Sequence, residues 1–316
     1  MSVAVLSGGV GAAKYLHGLL TVVDPETVTA IVNTGDDTVI HGLSISPDLD
    51  TITYTLADAI DPERGWGLAG ETWTAMEALD RYGGVRPDGS RAGGRWFNLG
   101  DRDLATHMYR TARLDEGATL TEVSDEIRRA WALPCSILPM SDHRHSTIVD
   151  TVDHGEVSFQ DYFVRLRHAV AVRGVRFDGS AELSASARST LEEADTIVVA
   201  PSNPLVSIGP IRSLPGVDDI LTARRNDVVA VSPIVGGAAL KGPADRMLTE
   251  LGHEASVVGV AGLYAPIASV LVIDPVDADL ADQVEATGMR PVVTDSVMSA
   301  PGIAHDLARA TLAAVK

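Results

Sequence analysis

Apolar runs recur at residues 3–6, 28–32, 196–200, 228–231, 270–273 and 291–293, most closed by a glycine-rich or polar turn. The runs are unbroken rather than alternating, as expected of strands buried on both faces. Helical spacing follows, with Tyr15, Leu16, Leu19 and Leu20 after the first run and Ile303 and Leu307 after the last. Buried strands alternating with helices predict an α/β fold, Rossmann-like, with a mostly parallel open sheet and helices on both faces.

The rhythm breaks between residues 51 and 132. Residues 51–60 read as a helix flanked by Asp48 and Asp50, and Trp73, Met76 and Leu79 mark another that stops at Gly83-Gly84. Asp101 stands as N-cap, with Asp103 in the first turn, of a helix through Leu104, Met108 and Ala112. Thr119-Leu120-Thr121-Glu122 is a capping box ahead of the stripe Leu120, Val123, Ile127 and Trp131. Residues 1–50 and 133–316 therefore form a nucleotide-binding core, and 51–132 an inserted helical lobe. Within that lobe, residues 83–95 carry five glycines with Arg86, Arg91 and Arg95 and read as a surface insertion; a lid closing arginines over an anion would use the same residues. Further on, 147–149 and 156–159 predict a hairpin, and His143 and His145 before it read as solvated turn histidines.

At 316 residues with 45% apolar composition, the chain can bury a large core. A net charge of −18 argues against nucleic acid and against an anionic membrane surface as partners. Cys135 is the only cysteine, so no internal disulfide forms, and its apolar setting reads as structural. No secretion signal opens the chain, and 255–273 is broken by Gly259, Gly262 and Pro266, so a cytoplasmic protein is expected.

The chemistry-bearing residues fall at strand ends. Ser7-Gly8-Gly9-Val10-Gly11, between a strand and a helix, matches a turn that cradles phosphate on backbone N–H groups. It is neither a P-loop nor a full dinucleotide fingerprint. After the second strand, Asp36, Asp37, Asp48 and Asp50 fall within fifteen residues, a costly cluster unless a cation such as Mg²⁺ neutralises it. Loops with Ser202, Asn203 and Ser207 and with Ser232 follow the strands at 196–200 and 228–231. In an open parallel sheet these ends share one edge and can meet around one ligand.

Those loops, with Leu99-Gly100-Asp101-Arg102-Asp103-Leu104-Ala105-Thr106-His107, Leu138-Pro139-Met140-Ser141-Asp142 and Ser207-Ile208-Gly209-Pro210, resemble the 2-phospho-L-lactate transferase family of coenzyme F-420 biosynthesis, in the family's order across most of the chain. The resemblance implies an Mg²⁺-dependent enzyme. Its acceptor would be a deazaflavin, 7,8-didemethyl-8-hydroxy-5-deazariboflavin, whose ribityl hydroxyl attacks the distal phosphorus of a guanosine diphosphate-linked lactyl or enolpyruvyl donor and releases GMP. Carried over residue by residue, it places Asp50 and Asn98 at the deazaflavin, with Asp50 as the catalytic residue. By their place at strand ends, Gly8, Gly9, Gly11, Asn33, Ser202, Asn203 and Ser207 are expected at the nucleotide. Asp36, Asp37 and Asp50 are the candidate metal ligands, Asp50 either ligating Mg²⁺ or orienting the hydroxyl. Family members commonly form homodimers.

Two other functions share part of this pattern. A non-catalytic nucleotide-sugar-binding regulator of the same superfamily would share the glycine turn and the acidic pair, but would need neither the second Asp motif nor the lobe. A dinucleotide-dependent oxidoreductase is disfavoured by the frame of the glycine turn.

Overall fold

A computed structural model describes residues 1–87, 90, 92 and 97–315. Its centre is a seven-stranded sheet of β1 (Val3–Ser7), β2 (Val28–Val32), β3 (Ser136–Pro139), β4 (Thr196–Val199), β5 (Val228–Val231), β6 (Val270–Ile273) and β7 (Arg290–Val293). Spatial order is β7-β6-β5-β4-β1-β2-β3, and every pairing is parallel. Six of the strands are the apolar runs read from the sequence, and β3 adds a seventh at the edge beside β2.

Alternate residues of each strand feed two separate cores. Val3, Val5, Val28 and Ala30 pack against α1 (Gly9–Leu19), α2 (Pro47–Leu56) and the helix Ile303–Ala313. Ala4, Leu6, Ile31 and Ile197 face the opposite way, toward the helices Ala185–Glu193, Val217–Ala223 and Val257–Tyr264. With both faces covered, β-branched strands need no polar side, which is why they read as continuous apolar runs.

After α2 come α3 (Thr74–Leu79), α4 (Asp103–Asp115) and α5 (Leu120–Ala130), α5 opening on the expected capping box. Ile40 and Ile45 join Met76 and Leu99 in a small apolar cluster apart from the two cores. Residue 50 lies inside α2, whose Leu49, Ile52 and Leu56 belong to the main core.

Three local expectations are corrected. The helix expected from residue 51 begins at Pro47, because proline needs no N–H there and presets φ, so Asp48 and Asp50 lie in its first turn. Asp101 does not cap α4. It accepts from the N–H groups of Thr74 and Ala75 at 2.9 Å each and so caps α3, while Glu71 accepts from Arg102 and Asp103 at 2.8 Å each and takes the N-terminus of α4. His145 is buried, stacked on Phe177 and 2.7 Å from the Ser213 hydroxyl, rather than solvated. The hairpin partner strand Ser146–Thr151 also pairs with Val172–Asp178, making a separate three-stranded antiparallel sheet. In the glycine-rich insertion, Arg91 and Arg95 lie outside the described residues; Arg86 donates to the Ala92 carbonyl at 3.1 Å.

Candidate active site

Strand order reverses where β1 and β4 lie side by side, and there the loops leaving them part, as at ligand crevices of open α/β sheets. A cavity of about 560 Å³ occupies this position. Of the sequence-predicted site residues, Gly8, Gly9, Gly11, Asp36, Asp50, Asn98, Ser202, Asn203 and Ser207 line it, whereas Asn33 and Asp37 do not.

One wall is the glycine turn. Gly9 takes φ +68°, a conformation that suits glycine. Gly8 is clasped by Ser202, whose Oγ accepts from the Gly8 N–H at 3.3 Å and donates to its carbonyl at 2.8 Å. Gly11 has a packing reason: a Cβ there would run into the Pro201 carbonyl. Asn203 uses its carbonyl to cap Leu205 and Val206, at 2.9 and 3.4 Å. The turn and the loop after β4 are thus one interlocked wall, with Ser207 beside Gly8.

The floor is acidic. Asn33, fully buried behind the cavity, donates its amide to Asp36 at 3.2 Å and to Asp48 at 2.9 Å, and accepts from the Gly35 N–H at 2.8 Å. Its carboxamide thereby aims two carboxylates. Burial, then the charges of Asp48 and Asp37, push the Asp36 carboxyl well above its usual range. Burial raises Asp48 to about 6 despite hydrogen bonds from Asn33 and the Gly9 backbone. Asp37 turns away to accept from Ser46 at 2.7 Å, and burial raises it to about 8.

Asp50 stands in a different setting. Arg110 grips both its oxygens, Nη2 on Oδ1 and Nη1 on Oδ2, the latter at 3.2 Å. His107 presents Nδ1 3.7 Å from Asp50 Oδ2 and Nε2 3.3 Å from Asp103 Oδ2, and the Tyr54 hydroxyl donates to Asp103 at 2.5 Å. All five side chains are buried. Tyr54, Asp103 and His107 line the cavity without having been assigned roles from sequence, and Arg110 lies behind Asp50. One signal was available: residues 103, 107 and 110 have i, i+4, i+7 spacing on one helical face, as do 50 and 54 one turn apart on α2.

The remaining wall is apolar and aromatic. Trp66, Phe97, Phe159 and Phe163 line it, with Asn98 exposed at its side and Lys241 at the rim. Flat aromatic faces suit a planar heterocycle.

The donor atoms decide where a hard divalent cation fits. Asp36 Oδ1 is buried without a partner, and Asp48 shares the Asn33 amide with it, giving an oxygen-only set short of positive charge. Asp50, Asp103 and His107 also bring three ligand atoms within 4.8 Å of one another, but Arg110 already supplies a cation to Asp50. The Asp36–Asp48 pair is the better fit for Mg²⁺, and Asp37 and Asp50 the poorer.

The profile of the 2-phospho-L-lactate transferase CofD family matches residues 3–310. The chain belongs to that family. Among curated relatives, the "Phosphoenolpyruvate transferase" of Kitasatospora aureofaciens is 39% identical, over 99% of this chain and 97% of its own. That of Streptomyces griseus is 40% identical over 92% and 91%, and that of Mycobacterium tuberculosis H37Rv 37% over 98% and 97%. A Bacillus halodurans crystal structure described as a member of the UPF0052 family superposes with a TM-score of 0.61 at 14% identity, covering 98% of each chain, a likeness of fold. Family membership makes the chain a transferase, and among the described residues no helix is long and apolar enough to cross a membrane.

Proposed function

We propose that the protein transfers a phosphoenolpyruvyl or 2-phospho-L-lactyl group from a guanosine diphosphate-linked donor to the ribityl hydroxyl of 7,8-didemethyl-8-hydroxy-5-deazariboflavin, releasing GMP. The observation that carries this reading is one cavity joining a glycine turn and an acidic floor to an aromatic wall, with Asp50 beside that wall. The relatives, named phosphoenolpyruvate transferases, favour the enolpyruvyl donor.

Gly8, Gly9 and the Ser202–Ser207 loop flank the diphosphate and nucleoside, while Trp66, Phe159, Phe163 and Asn98 take the deazaflavin ring, so that the segment 51–132 supplies much of the acceptor side. Asp50 accepts a hydrogen bond from the ribityl hydroxyl and turns its oxygen toward the distal phosphorus, a positioning task that accounts for much of phosphoryl-transfer catalysis. The O–P bond forms as the bond to the GMP phosphate breaks, and the hydroxyl proton leaves along the hydrogen bond to Asp50. Asp36 and Asp48 would hold Mg²⁺, which when bound neutralises the diphosphate and the charge gathering on GMP. Four carboxylates line the cavity, so an anionic donor needs that neutralisation.

The test is GMP release, with mass spectrometry of the deazaflavin product, from lactyl, enolpyruvyl and glyceryl donors in competition. Wild type should yield GMP and a phosphodiester product with Mg²⁺, and Asp50→Asn should lose turnover with an unchanged circular dichroism spectrum. Tight binding of a nucleotide sugar without GMP release would instead make the protein a regulator.

A further inference from the structure

Among the described residues Arg110 is the largest fully buried side chain, at 1% exposure, yet it does not line the cavity. Burying a guanidinium is costly, and a well-packed apolar side chain would serve stability as well. Its hydrogen bonds point to another purpose. Besides the two-pronged grip on Asp50, Nη1 reaches the Ser44 carbonyl at 3.3 Å and stands 3.4 Å from His107 Nδ1. The guanidinium is thus tied to the strand Leu43–Ile45 and to its own helix α4, and Asp50 on α2 is held in register with both.

We propose that Arg110 is a positioning residue for the acceptor: it fixes Asp50 in one orientation, leaving the outward lone pairs of Asp50 for the attacking hydroxyl rather than for a metal ion. A planar fork matched to a carboxylate restricts rotation about the Asp50 side chain in a way a point charge does not. The permanent charge of Arg110 also disfavours a divalent cation at Asp50, Asp103 and His107, which directs the metal to Asp36 and Asp48. This inference rests on the reading that Asp50 meets the acceptor hydroxyl.

The experiment compares wild type, Arg110→Lys, Arg110→Gln, Asp50→Asn and the double variant Asp50→Asn/Arg110→Gln. It reads kcat, KM for each substrate, and deazaflavin affinity without donor from tryptophan fluorescence. Losing a charge-assisted pair predicts a drop in kcat/KM for the acceptor on the order of tenfold or more in Arg110→Gln, with a weaker loss in Arg110→Lys and donor KM unchanged. In the double variant deazaflavin affinity, the readout that survives loss of turnover, should fall no further than in Asp50→Asn alone, since Arg110 acts only through Asp50. Should Arg110→Gln fail to fold by leaving Asp50 buried and unpaired, the lysine variant and the charge-free double variant still decide the matter. Wild-type acceptor kinetics in Arg110→Lys or Arg110→Gln, losses that multiply in the double variant, or a donor KM that rises with the acceptor KM would each overturn the inference. Wild-type turnover by Asp50→Asn would instead overturn the role of Asp50 in the proposed function.

Discussion

Replacing Asp48 by Asn should make the metal-free protein more stable while depriving it of its response to Mg²⁺. In the folded chain, burial holds the Asp48 carboxyl at about 6, against an ordinary 3.8. An acid raised in the native state binds its proton more tightly there than when unfolded. The native state is therefore penalised wherever the group must ionise: not at all below about 4, increasingly between about 4 and 6, and fully above that. At 1.36 kcal/mol per decade the full penalty is about 3 kcal/mol. Asparagine keeps a carbonyl that can accept from the Asn33 amide, now 2.9 Å from Asp48 Oδ2, and never ionises. Its amino group, however, cannot accept from the Gly9 N–H, a loss of about 1 kcal/mol. The net gain of about 2 kcal/mol, over an unfolding entropy of ~2.1 cal/mol/K per residue, raises Tm by about 3 °C. Thermal unfolding in chelator at pH 8 and at pH 5 measures it. The variant should melt higher than wild type at pH 8, the gap should narrow at pH 5, and Mg²⁺ at pH 8 should raise wild type alone. A variant that melts at or below wild type at pH 8 with an intact circular dichroism spectrum would refute the argument that Asp48 is held ionised against its surroundings.

Other expectations follow from single contacts. Gly11→Ala drives a methyl into the Pro201 carbonyl and should destabilise by about 1–3 kcal/mol, seen as a lower denaturant midpoint with an unchanged m-value. Tyr54→Phe leaves Asp103 without its phenol donor and should cost about 1.5–3 kcal/mol in urea unfolding; a neutral result would make that bond expendable. Trp66→Ala should weaken deazaflavin binding and spare donor KM, as measured by steady-state kinetics. Cys135, buried and with its thiol pushed up to about 11, should resist alkylation at pH 8, and iodoacetamide treatment should leave GMP release intact.

The sheet was legible because strands buried on both faces leave long β-branched runs with no polar positions to confuse the pattern. The glycine turn and the acidic stretch were legible for the same reason, since each sits where such a run stops. Partnership was not. Asp50 and Arg110 are sixty residues apart, and no local pattern says that one grips the other. Asn33 looked like a ligand because it stands at the end of β2, yet its three hydrogen bonds all point to its own loop and to Asp48. Asp101 satisfied every local rule for capping α4 and instead caps α3, because Glu71 fills the α4 position from across the lobe. Strand Val172–Asp178 takes its antiparallel place outside the main sheet through tertiary pairing with Ser146–Thr151, which no local pattern encodes.

The exchange of caps between α3 and α4 has a consequence for how the lobe folds. Each helix is begun by a carboxylate lying just ahead of the other, Glu71 before α3 and Asp101 before α4. Neither can satisfy its first N–H groups until the chain from 71 to 103 has closed on itself, so the two should nucleate together and fray together, as one exchange unit in hydrogen–deuterium experiments. Asp103 and His107 belong to α4, and the chemistry they border is thereby assembled in the same step that closes the lobe.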